Sequence, residues 1–242
     1  MHTPASITPD ETISVLVFLD FEFYTDKSHR SEDGDFDYNP YHQGNLFLGG
    51  VIKRVWPDKQ EDKPYQSWIW DEDGDERRVV TNIYRYLKET HDLVKERHGN
   101  AANVILCGFG VSTMDVPVLY TKCLQHDIPE GDKEELFTTV IGSKKFEMGC
   151  IMPAFFNKTE IPYLYGRSLN VAKQRFMSRE LDLRLKERGS VVFDLYDAED
   201  YLSIVKRTQK EVEDCQFIHD RIVAYINTGV KNYQARSADK RR

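Results

Sequence analysis

Val15-Leu16-Val17-Phe18-Leu19-Asp20-Phe21-Glu22-Phe23-Tyr24 is the stretch whose reading decides the fold. It opens on five apolar residues, and β-branched and aromatic side chains dominate it, which is the pattern of a strand buried on both faces. Side chains alternate along a strand, so Asp20 and Glu22, two positions apart, point the same way. Two carboxylates held side by side in apolar surroundings are costly unless a cation lies between them. A bound divalent metal resolves that cost most simply.

Downstream, residues 25–45 are crowded with Asp, Ser, Gly, Tyr and Asn and read as loop. Asp33, Asp35 and Asp37 alternate as a calcium loop begins, but the glycine it requires falls on Tyr38 and its final glutamate on Gly44, so the run is read as a solvated acidic loop. Residues 45–56 and 65–70 are two further strands, joined by a polar turn between Pro57 and Pro64, and the three strands suggest an antiparallel meander. The period then changes. Val80, Ile83, Leu87 and Val94 share one helical face over residues 75–98, with Gly99-Asn100 as the stop. A second buried strand, 103–110, leads into a helix with Val116, Leu119, Tyr120, Cys123 and Leu124 on its face. The order β-β-β-α-β-α predicts an α/β fold with mixed strand directions.

Between residues 127 and 189 the pattern weakens. Residues 134–141 read as a short helix, and 167–188 as a helix with seven Lys or Arg against three Asp or Glu. That basic stretch, with Arg167, Lys173 and Arg175 foremost, is either a solvated face or a contact surface for a phosphate backbone. Residues 190–196 read as a strand, and 207–227 as a final helix with Val212, Cys215, Ile222 and Ile226 on its buried stripe. The expected organisation is a flexible tail over 1–12, a single domain over 13–228 with a mostly helical insertion at about 128–189, and a basic tail over 229–242.

A chain of 242 residues with 40% hydrophobic content buries a full core. Its net charge of −7 argues against a general positive coating for gripping nucleic acid, though not against a local basic groove. No apolar run approaches the ~20 residues of a membrane span, and the N-terminus lacks the order of a signal peptide, so a soluble cytoplasmic protein without a membrane partner is expected. Cys107, Cys123, Cys150 and Cys215 are irregularly spaced, which favours reduced thiols over disulfides or structural zinc. Gly108-Phe109-Gly110 fails as a dinucleotide fingerprint because Thr113 stands where the third glycine belongs.

A divalent ion at Asp20 and Glu22 needs further oxygen ligands. Asp115 offers one at the turn after the second buried strand, and Asp214 another from the boundary of the apolar stripe on the last helix. Asp115 also suits the role of N-cap, with Pro117 in the first turn. Asp214 also suits a surface pair with Lys210. Asp-x-Glu ending the first strand, Asp-x-Pro-x-Leu after a Gly-Phe-Gly strand end, Val-Phe-Asp-Leu and an aspartate in the last helix follow one another in an order that resembles the DEDD superfamily of 3′→5′ exonucleases. The resemblance covers about residues 13–127 and 190–228. It implies a ribonuclease H-like mixed β-sheet flanked by helices, and two divalent cations, Mg2+ or Mn2+, held by Asp20, Glu22, Asp115 and Asp214. It further implies the 3′ end of single-stranded DNA or RNA as substrate. Tyr24, beside the two carboxylates, is read either as a strand-end tyrosine with its hydroxyl in water or as a ring placed to meet a base. The family's general base, a histidine five or a tyrosine four positions before the last aspartate, is replaced by Gln209 and Lys210. Lys210 is read as a charge partner of Asp214 or of the scissile phosphate; His219 and Tyr201 remain as candidate bases, and Asp220 or Asp194 as alternatives to Asp214. The missing base keeps open a catalytically silent nucleic-acid-binding or scaffold protein, and an endonuclease on the same framework.

Overall fold

The computed structural model describes residues 14–30, 38–99, 102–151, 169 and 189–239, the last eleven as backbone. The expected N-terminal tail, the acidic residues Asp33, Asp35 and Asp37, and the basic residues Arg167, Lys173 and Arg175 lie outside the described residues.

The decisive stretch is strand β1 (Ser14–Tyr24), and it is the middle of the sheet. β2 (Leu46–Val55) pairs with it antiparallel on one side and β4 (Asn103–Gly108) parallel on the other. β3 (Tyr65–Trp68) lies antiparallel outside β2, and β5 (Lys144–Glu147) parallel outside β4, giving the order β3-β2-β1-β4-β5. The predicted meander is therefore present, and among the described residues β2 alone of the five strands runs against the rest. Every residue of β1 is buried except Asp20, which is partly open. Phe18, Leu19, Phe21 and Phe23 are at most 3% exposed, each contributing roughly 1.5–3 kcal/mol of burial.

Burial on both faces requires a helical layer on each side. α1 (Glu76–His98) covers one face through Val79, Val80, Ile83, Leu87 and Val94. Its first turn is capped by the Asp75 carboxylate, which accepts from Arg78 N, and it stops at Gly99, whose φ of 73° suits glycine. Phe21 and Phe23 belong to this face, each meeting the ring of Phe47 edge-on. α2 (Val116–Gln125), α3 (Lys133–Leu136) and α4 (Met148–Ile151) follow. The opposite face carries α5 (Val191–Asp197) and the long α6 (Tyr201–Asp239). Phe18 points to this side, its ring 5.3 Å from that of His219 on α6.

Three sequence expectations are corrected. Residues 190–196, predicted as a strand, form α5; a short apolar run does not distinguish the two, and here Val192 and Phe193 are buried while Phe193 and Tyr196 cover the Tyr24 ring at the end of β1. The last helix begins at Tyr201 rather than 207, because Asp200 caps it, accepting from Ser203 N at 3.2 Å. It then continues to Asp239, through most of the expected tail, where Lys, Gln, Ala and Arg favour helix and no proline intervenes. β5 was not anticipated, since its four residues carry one buried side chain, Phe146, and so show no alternation. No helix of the described residues is long and apolar enough to cross a membrane.

Candidate metal centre

Leaving β1, the chain builds β2 and β3 on one side; leaving β4, it builds β5 on the other. In open α/β sheets the crevice outside the carboxyl ends of the strands, at such a reversal, is where ligands are taken. Asp20 and Glu22 stand at the carboxyl end of β1, and Asp115 follows that of β4.

Glu22 is set by a local irregularity. Its partner on β2 is Gly49, and the register slips between Glu22 and Phe23, as a bulge does when it re-aims a side chain. Gly49 has a φ of 121°, and a Cβ there would lie 2.0 Å from the carbonyl oxygen of Ser67, so the bulge demands glycine.

Ile204, Thr208, Glu211, Cys215, Ile218 and Ile222 form the buried stripe of α6, at most 4% exposed and spaced three or four apart. Glu211 thus projects from the middle of an apolar stripe towards the carboxylates of β1. One ligand oxygen each from Asp20, Glu22 and Glu211 lies within 4.8 Å of the others. The Thr208 hydroxyl donates to Glu22 Oε1 at 3.0 Å. The Arg207 guanidinium, almost as buried, places Nη1 3.2 Å from Glu22 Oε1 and Nε 3.3 Å from Glu211 Oε1.

Asp115 reaches the same neighbourhood from β4. Gly110, in the left-handed region at φ 86°, opens a single π-helical turn, Val111–Asp115, of a kind that recurs at functional sites. The Glu147 carboxylate pins this turn, accepting from Gly110 N at 3.0 Å, Ser112 N at 2.9 Å and Gly149 N at 3.0 Å. Asp115 makes no side-chain cap to α2, against the capping role its sequence position suggested. Instead Oδ1 accepts from Phe21 N at 3.4 Å, the amide between the two carboxylates of β1, beyond the last paired residue of β4.

Asp214 is 1% exposed and forms the expected pair with Lys210, whose Nζ lies 2.6 Å from Oδ1; Lys210 itself is 57% exposed. Among the described residues, the mutually close group is Asp20, Glu22 and Glu211, and Asp115 and Asp214 stand outside it. Glu211 is the residue that sequence reasoning missed. An acidic side chain on an apolar helical stripe was the available signal, and Asp214, at the stripe's boundary, drew attention from it.

Tyr24 shares the face of Asp20 and Glu22 but is enclosed by α5. Its hydroxyl donates to Asp197 Oδ1 at 2.8 Å, and the Arg30 guanidinium lies 5.2 Å from its ring centre. Burial, with the hydrogen bond and charge of Asp197, pushes the Tyr24 hydroxyl up to about 12. Asp197, which burial by itself would raise, is held below the usual carboxylate value by hydrogen bonds from Tyr24 and Arg30. The other candidates fall elsewhere. His219 is 1% exposed, edge-on to Phe18 and Phe146. Tyr201 stacks on Trp70 at 4.5 Å, while Asp194 and Asp220 are largely exposed beside Arg30 and His219.

The chain matches none of the protein-family models and none of the curated proteins with which it was compared.

Proposed function

We propose that this chain is a metal-dependent 3′→5′ exonuclease of ribonuclease H-like fold, acting on the 3′ end of single-stranded DNA or RNA. The observation that carries the reading is the convergence of Asp20, Glu22 and Glu211 within 4.8 Å at the strand reversal between β1 and β4. Three carboxylates are hard oxygen donors and suit Mg2+ or Mn2+ rather than softer metals. When bound, such ions supply Lewis-acid stabilisation of the charge that develops as a phosphodiester is hydrolysed. The chain's own residues hold the donors. Asp20, Glu22 and Glu211 are the ligands, Thr208 orients Glu22, and Asp115 is a further carboxylate at the strand ends. Lys210 keeps Asp214 in place and, largely exposed, is assigned to an anionic phosphate. The expected helix carboxylate thereby moves from Asp214 to Glu211, and the places five and four residues before it hold Lys206 and Arg207. The polarity of cleavage and the count of two ions follow from the family resemblance.

Arg207 favours a second reading. A guanidinium bridging Glu22 and Glu211 already supplies positive charge where a metal would, as in a protein that binds nucleic acid without cleaving it. Digestion of end-labelled single-stranded DNA and RNA with Mg2+ or Mn2+, comparing wild type with Asp20→Asn, separates the two. The exonuclease yields mononucleotides and a ladder from one end, with activity lost in the variant. Binding that persists in chelator without turnover supports the silent protein, and internal fragments an endonuclease.

A further inference from the structure

Arg207 shares its contacts with the ligand set itself. Its guanidinium lies 3.2 Å from Glu22 and 3.3 Å from Glu211, two of the three carboxylates whose oxygens converge. Its side chain is 12% exposed, beside 9% for Glu22 and 6% for Glu211, so the contacts are shielded from bulk water and only weakly screened by salt. Asp20, Glu22, Glu211 and Arg207 together carry three negative charges and one positive, a formal sum of −2. An arginine cannot lose its proton near neutral pH. A lysine there would have the option of becoming neutral when a second cation arrived; a guanidinium has to move.

We propose that Arg207 is a built-in counter-cation that holds the metal-free carboxylates together and is displaced when a divalent ion loads, so that it sets the metal concentration at which the centre fills. This rests on the metal-centre reading above. Carboxylate oxygens of Glu22 and Glu211 that held a divalent ion would have those lone pairs withdrawn from the guanidinium, which would also be repelled by the ion's charge. Without Arg207 the three carboxylates repel one another, the folded chain is less stable, and the ion is taken up more avidly.

The test is titration of the full chain with Mn2+ alone, by calorimetry, together with thermal melting with and without Mn2+. Arg207→Gln is expected to bind Mn2+ at least about tenfold tighter than wild type, to melt lower without metal, and to gain more in melting temperature when Mn2+ is added. The variant Arg207→Gln with Glu211→Gln restores the formal charge of −2 but removes a ligand, and is expected to bind more weakly than Arg207→Gln alone. Arg207→Lys keeps the charge but cannot span both carboxylates, and is expected to bind Mn2+ tighter than wild type even where the glutamine variant fails to fold. Wild-type binding with equal or weaker affinity in Arg207→Lys and in any folded Arg207→Gln overturns the role of Arg207 and leaves the metal centre standing. Absence of Mn2+ binding in every variant and in wild type overturns both.

Discussion

Two buried charge clusters face opposite sides of the sheet, and they are built to different rules. On the α1 side, Glu76 is one carboxylate among several donors: Lys122 Nζ at 2.9 Å, His126 Nε2 at 2.9 Å and Phe47 N at 2.6 Å. Lys122, 4% exposed in its side chain, also donates to the carbonyl of Asn45. On the α6 side, three carboxylates converge, and the guanidinium of Arg207 bridges two of them, Glu22 and Glu211. The first arrangement surrounds a single anion with hydrogen-bond donors, the Lys122 ammonium among them, and ties α1 and α2 to β2. The second concentrates like charge at the strand ends, where self-contained stability would call for fewer acids. A cluster rich in like charge and placed at the reversal of the sheet could hold a metal ion.

The comparison is broken most forcefully from the α1 side. Glu76→Ala leaves the buried Lys122 ammonium without its carboxylate and is expected to cost about 3–5 kcal/mol in denaturant unfolding, with Mn2+ affinity unchanged in the folded fraction. Asp20→Asn, measured in the same way, is expected to leave metal-free stability equal or higher, because it thins a group of like charges. Its Mn2+ affinity should fall by more than ~100-fold, beyond what loss of an orienting partner alone produces. Equal destabilisation by the two variants would show that both clusters are structural.

A finer test concerns Thr208, which is fully buried and donates to the charged Glu22. Thr208→Val is expected to cost about 1.5–3 kcal/mol, and its Mn2+ affinity should fall by roughly 10–100-fold as Glu22 loses its orientation. The smallest effect lies at the end of the same strand. With the Tyr24 hydroxyl raised to about 12 in the folded chain against an ordinary value near 10, its contribution is complete below pH ~10 and is lost as the pH rises towards about 12. Tyr24→Phe should flatten that part of the decline in unfolding free energy with pH and leave Mn2+ binding untouched, separating the enclosed end of this face from the carboxylate cluster at its middle.

Where the sequence was legible, the reason was periodicity. β1 was read correctly as a strand buried on both faces. α1 was anticipated together with its stop, because a long amphipathic period and a terminal glycine are local signals. The pairing of Lys210 with Asp214 followed from a four-residue spacing on a helix. α5 and β5 were not legible, since a run of a few apolar residues, or a single buried Phe146, carries no period. Asp115 misled for a similar reason. Its position beside Pro117 is that of a cap, whereas the carboxylate turns to an amide 94 positions earlier in the chain, which nothing local announces.

By itself the sequence determined that two carboxylates, Asp20 and Glu22, share one face of a buried strand, because alternation along a strand is a property of the backbone. Tertiary structure alone decided their company. Glu211 joins them because α6 packs across that face with this turn of its stripe directed at the strand ends, and Arg207 comes with it as the residue one turn earlier. Which side chains meet across a gap of nearly two hundred residues depends on helix placement and rotation over the sheet, and local patterning does not encode either.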